Sequence, residues 1–277
     1  MDLNDAEAGG IAPGSDFHFA SFYLPAAART ATRALEGWRE VITAIPATCS
    51  DRGVAHLKLA WWQDEIARLA AGGARHPLAA ALAPVVATRP TLLPALTRYP
   101  DAVATTLVEQ VPATRTAALA LVRALHGELF SHLLALAGSS GEPTAARPLL
   151  DLACLVEAAY ELRNLRQHRR AGQLLLPTAD LARHGLGTED VRQARDSRAL
   201  APCLADIYGW LIAALDAALA GLPRAERRRQ HMLCTQARLV RAALVLTRAD
   251  GCLVLERRVE LLPVHKLWLA WRTCYWG

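Results

Sequence analysis

Apolar residues recur at three- and four-residue spacing along almost the whole chain, while alternating runs bounded by turn residues are scarce. Residues three or four apart share one face of a helix, so the pattern predicts an all-α protein without a sheet. Proline and glycine divide it into elements. Pro25 opens a helix to about Ile45, Pro46 to Gly53 reads as a connection, and a second helix covers Val54 to Ala71 before Gly72-Gly73 stops it. A short helix follows from His76-Pro77 to Ala87. Pro90 and Pro94 flank a turn, and Tyr99-Pro100 leads into a helix over Asp101 to Glu109. Beyond Pro112, Ala113 to Ala137 is one long helix, closed by Gly138-Ser139-Ser140-Gly141. Pro148 starts a helix to about Arg170, followed by Gly172 and the segment Leu174 to Pro177. Short helices are expected over Thr178 to His184 and from Thr188, long ones over Ala199 to Ala220 and Arg224 to Asp250, and a last one from about Leu261. No repeat and no long linker splits the chain. Residues 16–277 are therefore expected as one domain behind a flexible, acidic and Gly-rich stretch, residues 1–15.

Composition narrows the function classes. The chain has 277 residues, 53% of them hydrophobic, enough for a sizeable core. Basic residues outnumber acidic ones 31 to 26, and with Lys58 and Lys266 the only lysines, the excess is guanidinium, which grips phosphate and carboxylate in a fork. No stripe of basic and aromatic residues accompanies it, so no nucleic-acid partner is expected. The six cysteines contain no Cys-x-x-Cys pair and are expected as reduced, small core residues, as in a cytoplasmic protein. Met1 to Ser15 lacks the basic start and apolar stretch of a signal peptide. Ile207 to Leu222 is the most apolar long segment, but Asp216 interrupts it and it falls short of the ~20 residues of a membrane span.

Searches by spacing find no His-Glu-x-x-His, no Gly-x-Ser-x-Gly, no phosphate-cradling Gly-rich loop and no dinucleotide fingerprint. No two histidines stand three or four apart, so a histidine metal face is not expected, and His126 and His132 read as core or surface residues. Several ordered segments carry a signal together. They are Phe17, Phe19 and Phe22-Tyr23-Leu24-Pro25 with Arg29; Arg39-Glu40-Val41; Leu59-Ala60-Trp61-Trp62-Gln63-Asp64-Glu65-Ile66; and His76-Pro77-Leu78-Ala79. Leu162-Arg163 with Gly172 and Leu176-Pro177 follows, then Leu262-Pro263 with Lys266-Leu267 and Ala270-Trp271-Arg272. In order and spacing over nearly the whole chain, these resemble the squalene/phytoene synthase family. The resemblance implies the class I isoprenoid synthase fold, a helical bundle around a central apolar cavity. In that fold two aspartate clusters, with carboxylates four apart, hold Mg²⁺ against a prenyl diphosphate, and the apolar walls shield the carbocation that forms.

The sequence departs from the family at those clusters. After Arg39-Glu40-Val41 stands Ile42-Thr43-Ala44-Ile45-Pro46 in place of an Asp-rich run. In the second cluster the first and last aspartates fall on Asn164 and His168, with Gln167 between them and Arg163, Arg166, Arg169 and Arg170 around them. The family's arginine and tyrosine before Leu-Pro are Gln173 and Leu175. A hard divalent cation wants anionic oxygen, so no metal and no cofactor is expected. Glu36 with Glu40, and Glu157 with Glu161, are acid pairs four apart just upstream of the lost clusters; Glu40 and Glu161 are the candidate catalytic acids if a displaced Mg²⁺ site exists. The plain alternative is a solvated face, or pairing such as Glu36 with Arg33. By the resemblance, Tyr23, Arg39, Arg163, Asn164 and His168 are the candidate substrate-binding residues, and the arginine run could hold a diphosphate or lipid head group without metal. Trp268, Trp271, Tyr275 and Trp276 suit either a core edge or a membrane-interface or partner-docking end. Three functions stay open. The first is a catalytically degenerate member that binds an isoprenoid lipid or a protein partner in an assembly-factor-like role, cytoplasmic or peripheral to the membrane. The second is an active prenyltransferase joining two prenyl diphosphates with Mg²⁺. The third is a helical scaffold.

Overall fold

The structure, a computed structural model, describes residues 11–108, 110–170 and 174–276. Among the described residues it contains helices and no strand. In chain order these are α1 (Asp16–Ala20), α2 (Ala26–Thr48), α3 (Arg52–Ala70), α4 (Pro77–Thr88), α5 (Leu92–Thr105), α6 (Arg115–Leu136) and α7 (Pro143–Arg163). There follow α8 (Leu165–Arg170), α9 (Thr178–Arg183), α10 (Thr188–Gln193), α11 (Ala201–Gly221), α12 (Arg224–Arg229), α13 (His231–Ala249) and α14 (Pro263–Trp276).

The centre is α7. Leu149, Leu152, Val156, Ala159 and Leu162 are all buried, and the helix packs against α6, α11 and α13. Beside it α2 buries Leu35, Trp38 and Ile42 at three- and four-residue spacing and packs on α3, α4, α5 and α6. One cluster of buried apolar residues runs from Ala34 to Leu255. Trp62 is buried while Trp61 is exposed, so one indole of the pair faces the core. All six cysteines are free thiols, and Cys154, Cys203, Cys234 and Cys252 are buried.

Three prolines predicted to bound helices lie inside them instead: Pro46 in α2, Pro100 in α5 and Pro148 in α7. An interior proline forfeits one backbone hydrogen bond and crowds the carbonyl four residues back, at ~3 kcal/mol. Pro46 and Pro100 are buried, and fully burying an apolar side chain returns ~1.5–3 kcal/mol. Pro148 sits in the second turn of α7, where the helix has just begun and frays most easily. Conversely, the helix expected from Pro148 to Arg170 is broken at Asn164 (φ −96°, ψ 15°). The stretch Arg224 to Asp250 divides at Gln230, whose buried amide donates to the Leu134 carbonyl.

Pattern analysis also missed α1, which is capped by the Ser15 hydroxyl accepting from the His18 N–H. Ile11 is buried with Phe17, Ala20, Leu24, Ala137 and Met232, so the packed core includes a residue ahead of Asp16. Met1 to Gly10, Glu109, Gly172 and Gln173 lie outside the described residues, as does the Arg170 side chain. Both α6 and α11 are long and apolar enough to cross a bilayer, because α11 starts at Ala201, earlier than the apolar run suggests. In the bundle they bury core residues such as Phe130, Leu133, Leu204 and Leu211.

Candidate functional site

A cavity of about 400 Å³ opens between α2, α5, α6, α7 and α8. Its walls are mostly apolar, with Val103, Val122, Leu125, Leu162, Leu165 and Leu174 among them. The polar groups that reach it include Thr43, Gln110, His126, Glu161 and His168.

The charged layer beside the cavity is organised by Arg39. Its guanidinium donates Nε and Nη2 to Glu36 at 2.8 and 2.7 Å, and Nη1 and Nη2 to Glu157 at 2.8 and 3.2 Å. Arginine and both acids are buried. The pair of carboxylates holds the Arg39 guanidinium firmly protonated against the cost of burial. Glu36 and Glu157 are the first members of the two acid pairs on facing helices, so the structure brings those pairs together across a cation. The expected partner of Glu36, Arg33, turns to the Ser21 hydroxyl and the His18 carbonyl instead.

His126 completes this layer. Its Nδ1 lies 2.7 Å from the Tyr99 hydroxyl and 3.4 Å from Arg39 Nη1, and the Phe130 ring stacks on it at 5.4 Å. Two donors meet Nδ1, so the neutral ring carries its hydrogen on Nε2, which points toward Glu157 at 3.7 Å. Burial, then Arg39, pushes its pKa down to about 3. Burial likewise raises the Tyr99 phenol, which keeps its proton and donates it.

Glu40 reaches solvent but is crowded by protein. That crowding, then Glu36 and Glu157, raises its pKa to about 7 while Arg39 opposes the rise. Glu161 lies in the cavity wall and contacts His168 Nε2 at 3.0 Å, across the Asn164 break.

Of the candidate residues, then, Glu161 and His168 line the cavity. Arg39 sits behind it, and Glu40 neighbours the Arg39 cluster. Asn164 Oδ1 accepts from Arg258 at 2.9 Å. Arg163 is buried outside the cavity lining, paired with Asp16 at 3.2 Å and Glu260 at 3.4 Å and donating to the Val259 carbonyl. Arg166 donates to the Glu256 carbonyl and Arg169 to those of Val191, Arg192 and Ala194. Tyr23 lies elsewhere, against Tyr275 of α14. Sequence reasoning passed over Tyr99 and read His126 only as a core or surface residue, because a tyrosine and a histidine in apolar helices carry no spacing signal; it found the acid pairs and singled out Arg39, but as a substrate-binding residue and not as the cation that joins them.

The donors a metal would need are largely engaged. Glu36 and Glu157 are taken by Arg39, Glu161 by His168 and Asn164 by Arg258, and among the described residues no group of three or more His, Cys, Asp or Glu is placed to hold an ion.

Similarities to known proteins agree with the fold. A squalene synthase, HpnC from Alicyclobacillus acidocaldarius, superposes with a TM-score of 0.62 at 21% identity over 85% of this chain and 89% of that one. A dehydrosqualene synthase solved in complex with a ligand gives a TM-score of 0.73 at 15% identity, over 94% and 91%. No curated protein sequence matches the chain. The squalene/phytoene synthase family model matches residues 12–265, and with an all-α isoprenoid synthase bundle around a central apolar cavity, the chain belongs to that family.

Proposed function

We propose that the protein is a non-catalytic member of its family that holds one isoprenoid chain in the central cavity without magnesium. The observation that carries this reading is the fate of the carboxylates. Of the acids nearest the two lost aspartate clusters, Glu36 and Glu157 are spent on a buried guanidinium and Glu161 on a histidine, which leaves Glu40 alone beside the first cluster, and the second cluster's own positions are Asn164 and His168. Mg²⁺ demands near-octahedral oxygen ligation and gives up its waters reluctantly, so this donor set does not fit it. A diphosphate leaving group would then lack the charge that stabilises its departure. Cavity size supports the same reading. At about 400 Å³ it lies near the lower end of the ~300–1,000 Å³ range of small-molecule sites, room for one prenyl chain rather than two condensing ones. Gln110 and the Glu161–His168 pair offer a ligand head group hydrogen bonds, and the apolar wall buries its tail.

The test is a thermal-shift comparison of farnesyl diphosphate, geranylgeranyl diphosphate and the corresponding alcohols, each with and without Mg²⁺, beside a product assay. A ligand at a hundredfold its Kd adds ~2.7 kcal/mol to stability. The expected result is stabilisation independent of Mg²⁺ and no product. Condensation of prenyl diphosphates that requires Mg²⁺ and disappears in Glu40→Ala or Glu161→Ala would establish the prenyltransferase instead, and no stabilisation by any of these ligands would leave a scaffold.

A further inference from the structure

The last helix, α14, is apolar on two opposite faces. Its inner face buries Leu269, Ala270 and Thr273 together with the ion-paired Lys266. Its outer face presents Val264, Trp268, Trp271 and Tyr275, spaced four, three and four apart so that they form one stripe, with Trp276 beyond them 75% exposed. A helix at a water boundary ordinarily turns a polar face outward. The stripe continues onto the segment after α1, where Tyr23 meets Tyr275 with ring centroids 5.8 Å apart and the exposed Phe22 meets Tyr23 at 5.2 Å.

Charge around this stripe has one sign. Neither residues 17–35 nor residues 261–276 contain an aspartate or glutamate, while they carry Arg29, Arg33 and Arg272, besides Lys266, which is buried on the inner face. Arg272 stacks on the Trp268 ring at 5.3 Å, and Arg29 donates to the Phe22 carbonyl at 3.0 Å, so both cations belong to the patch. The bordering acids are already met by cations: Asp16 by Arg163 and Lys266, and Glu260 by Arg258 and Lys266.

We infer that this aromatic face docks the protein on a bilayer bearing anionic head groups. Indole and phenol rings settle at the boundary between head group and acyl chain, and arginines beside them are drawn to lipid phosphate. A second copy of the chain fits worse. A two-fold dimer through this face would set cation against cation with no acid to meet them.

The experiment sediments the full-length protein with vesicles of phosphatidylcholine alone and of phosphatidylcholine mixed equally with phosphatidylglycerol. Binding is expected on the mixed vesicles and little on phosphatidylcholine alone, with release at high salt. The Trp268→Ser, Trp271→Ser, Trp276→Ser triple variant is expected to keep its helical circular dichroism and melting temperature, since all three side chains are exposed, and to stay in the supernatant. Arg272→Glu, a change of two charges, is expected to weaken binding to the mixed vesicles at least tenfold, on the order of two basic-residue contributions. Absence of binding, equal binding to both vesicles, or unchanged binding by the triple variant overturns the inference. So does a concentration-dependent dimer that the triple variant dissociates, which would assign the face to a second copy.

Discussion

Replacing Arg39 by methionine tests the electrostatic layer behind the cavity. Methionine matches the length of the arginine stem but leaves the Glu36 and Glu157 carboxylates, both buried, facing each other without a cation. Breaking one buried pair typically costs ~3–5 kcal/mol. Proton uptake caps the loss, because one carboxyl that takes a proton can share it with the other. An ordinary glutamate titrates near ~4.3, and each pH unit above that costs ~1.4 kcal/mol, so forced protonation costs ~4 kcal/mol at pH 7.5 and ~1.6 at pH 5.5. The variant is therefore expected to lose ~4 kcal/mol at the higher pH and less than half that at the lower. The sign follows from linkage: the folded variant would hold a proton that its unfolded chain releases, so its deficit grows as pH rises. Urea denaturation followed by circular dichroism at both pH values measures it, and the melting temperature at pH 7.5 should fall by about 10 °C. Adding Glu36→Gln and Glu157→Gln should recover at least half of the loss. A deficit below ~1 kcal/mol, or one equal at the two pH values, would refute the argument that Arg39 neutralises two buried charges.

Other outcomes follow from the same geometry. Glu40→Gln is expected to raise the melting temperature at pH 8 and leave it unchanged near pH 4.5, because a carboxyl raised to about 7 penalises the fold only as pH climbs from its unfolded value toward 7 and beyond. His126, lowered to about 3, stays neutral in the fold while the unfolded chain takes a proton below ~6.5, so stability falls as pH drops from there toward 3; His126→Gln should flatten that limb of a pH–stability profile. Leu125→Trp should occupy the cavity and abolish stabilisation by prenyl ligands without lowering helix content, checked by thermal shift and circular dichroism. Asp16→Ala leaves Arg163 and Lys266 without their shared buried partner and should release α1 and α14 to limited proteolysis before the rest of the bundle opens.

Much of this was written locally in the chain. The three- and four-residue apolar spacing gave the helices. Gly72-Gly73 and Gly138 to Gly141 marked helix ends, because glycines enter the left-handed region there without strain, with φ of 76°, 102° and 74° at Gly72, Gly138 and Gly141. The ordered motifs identified the family, and absent aspartates are visible in any sequence. What the tertiary structure decided are effects of residues far apart in the chain. Pro46 and Pro100 look like helix ends because their local cost is legible and the burial that offsets it is not. Asn164 ends α7 although the pattern continues through it. The acid pairs read as a displaced metal site or a solvated face from the sequence, whereas folding sets Glu157 against Arg39, 118 residues away, so that one guanidinium bridges Glu36 and Glu157. Periodicity reports which face of a helix turns inward, whereas only the packing of α2 against α6 and α7 determines which charge that face meets.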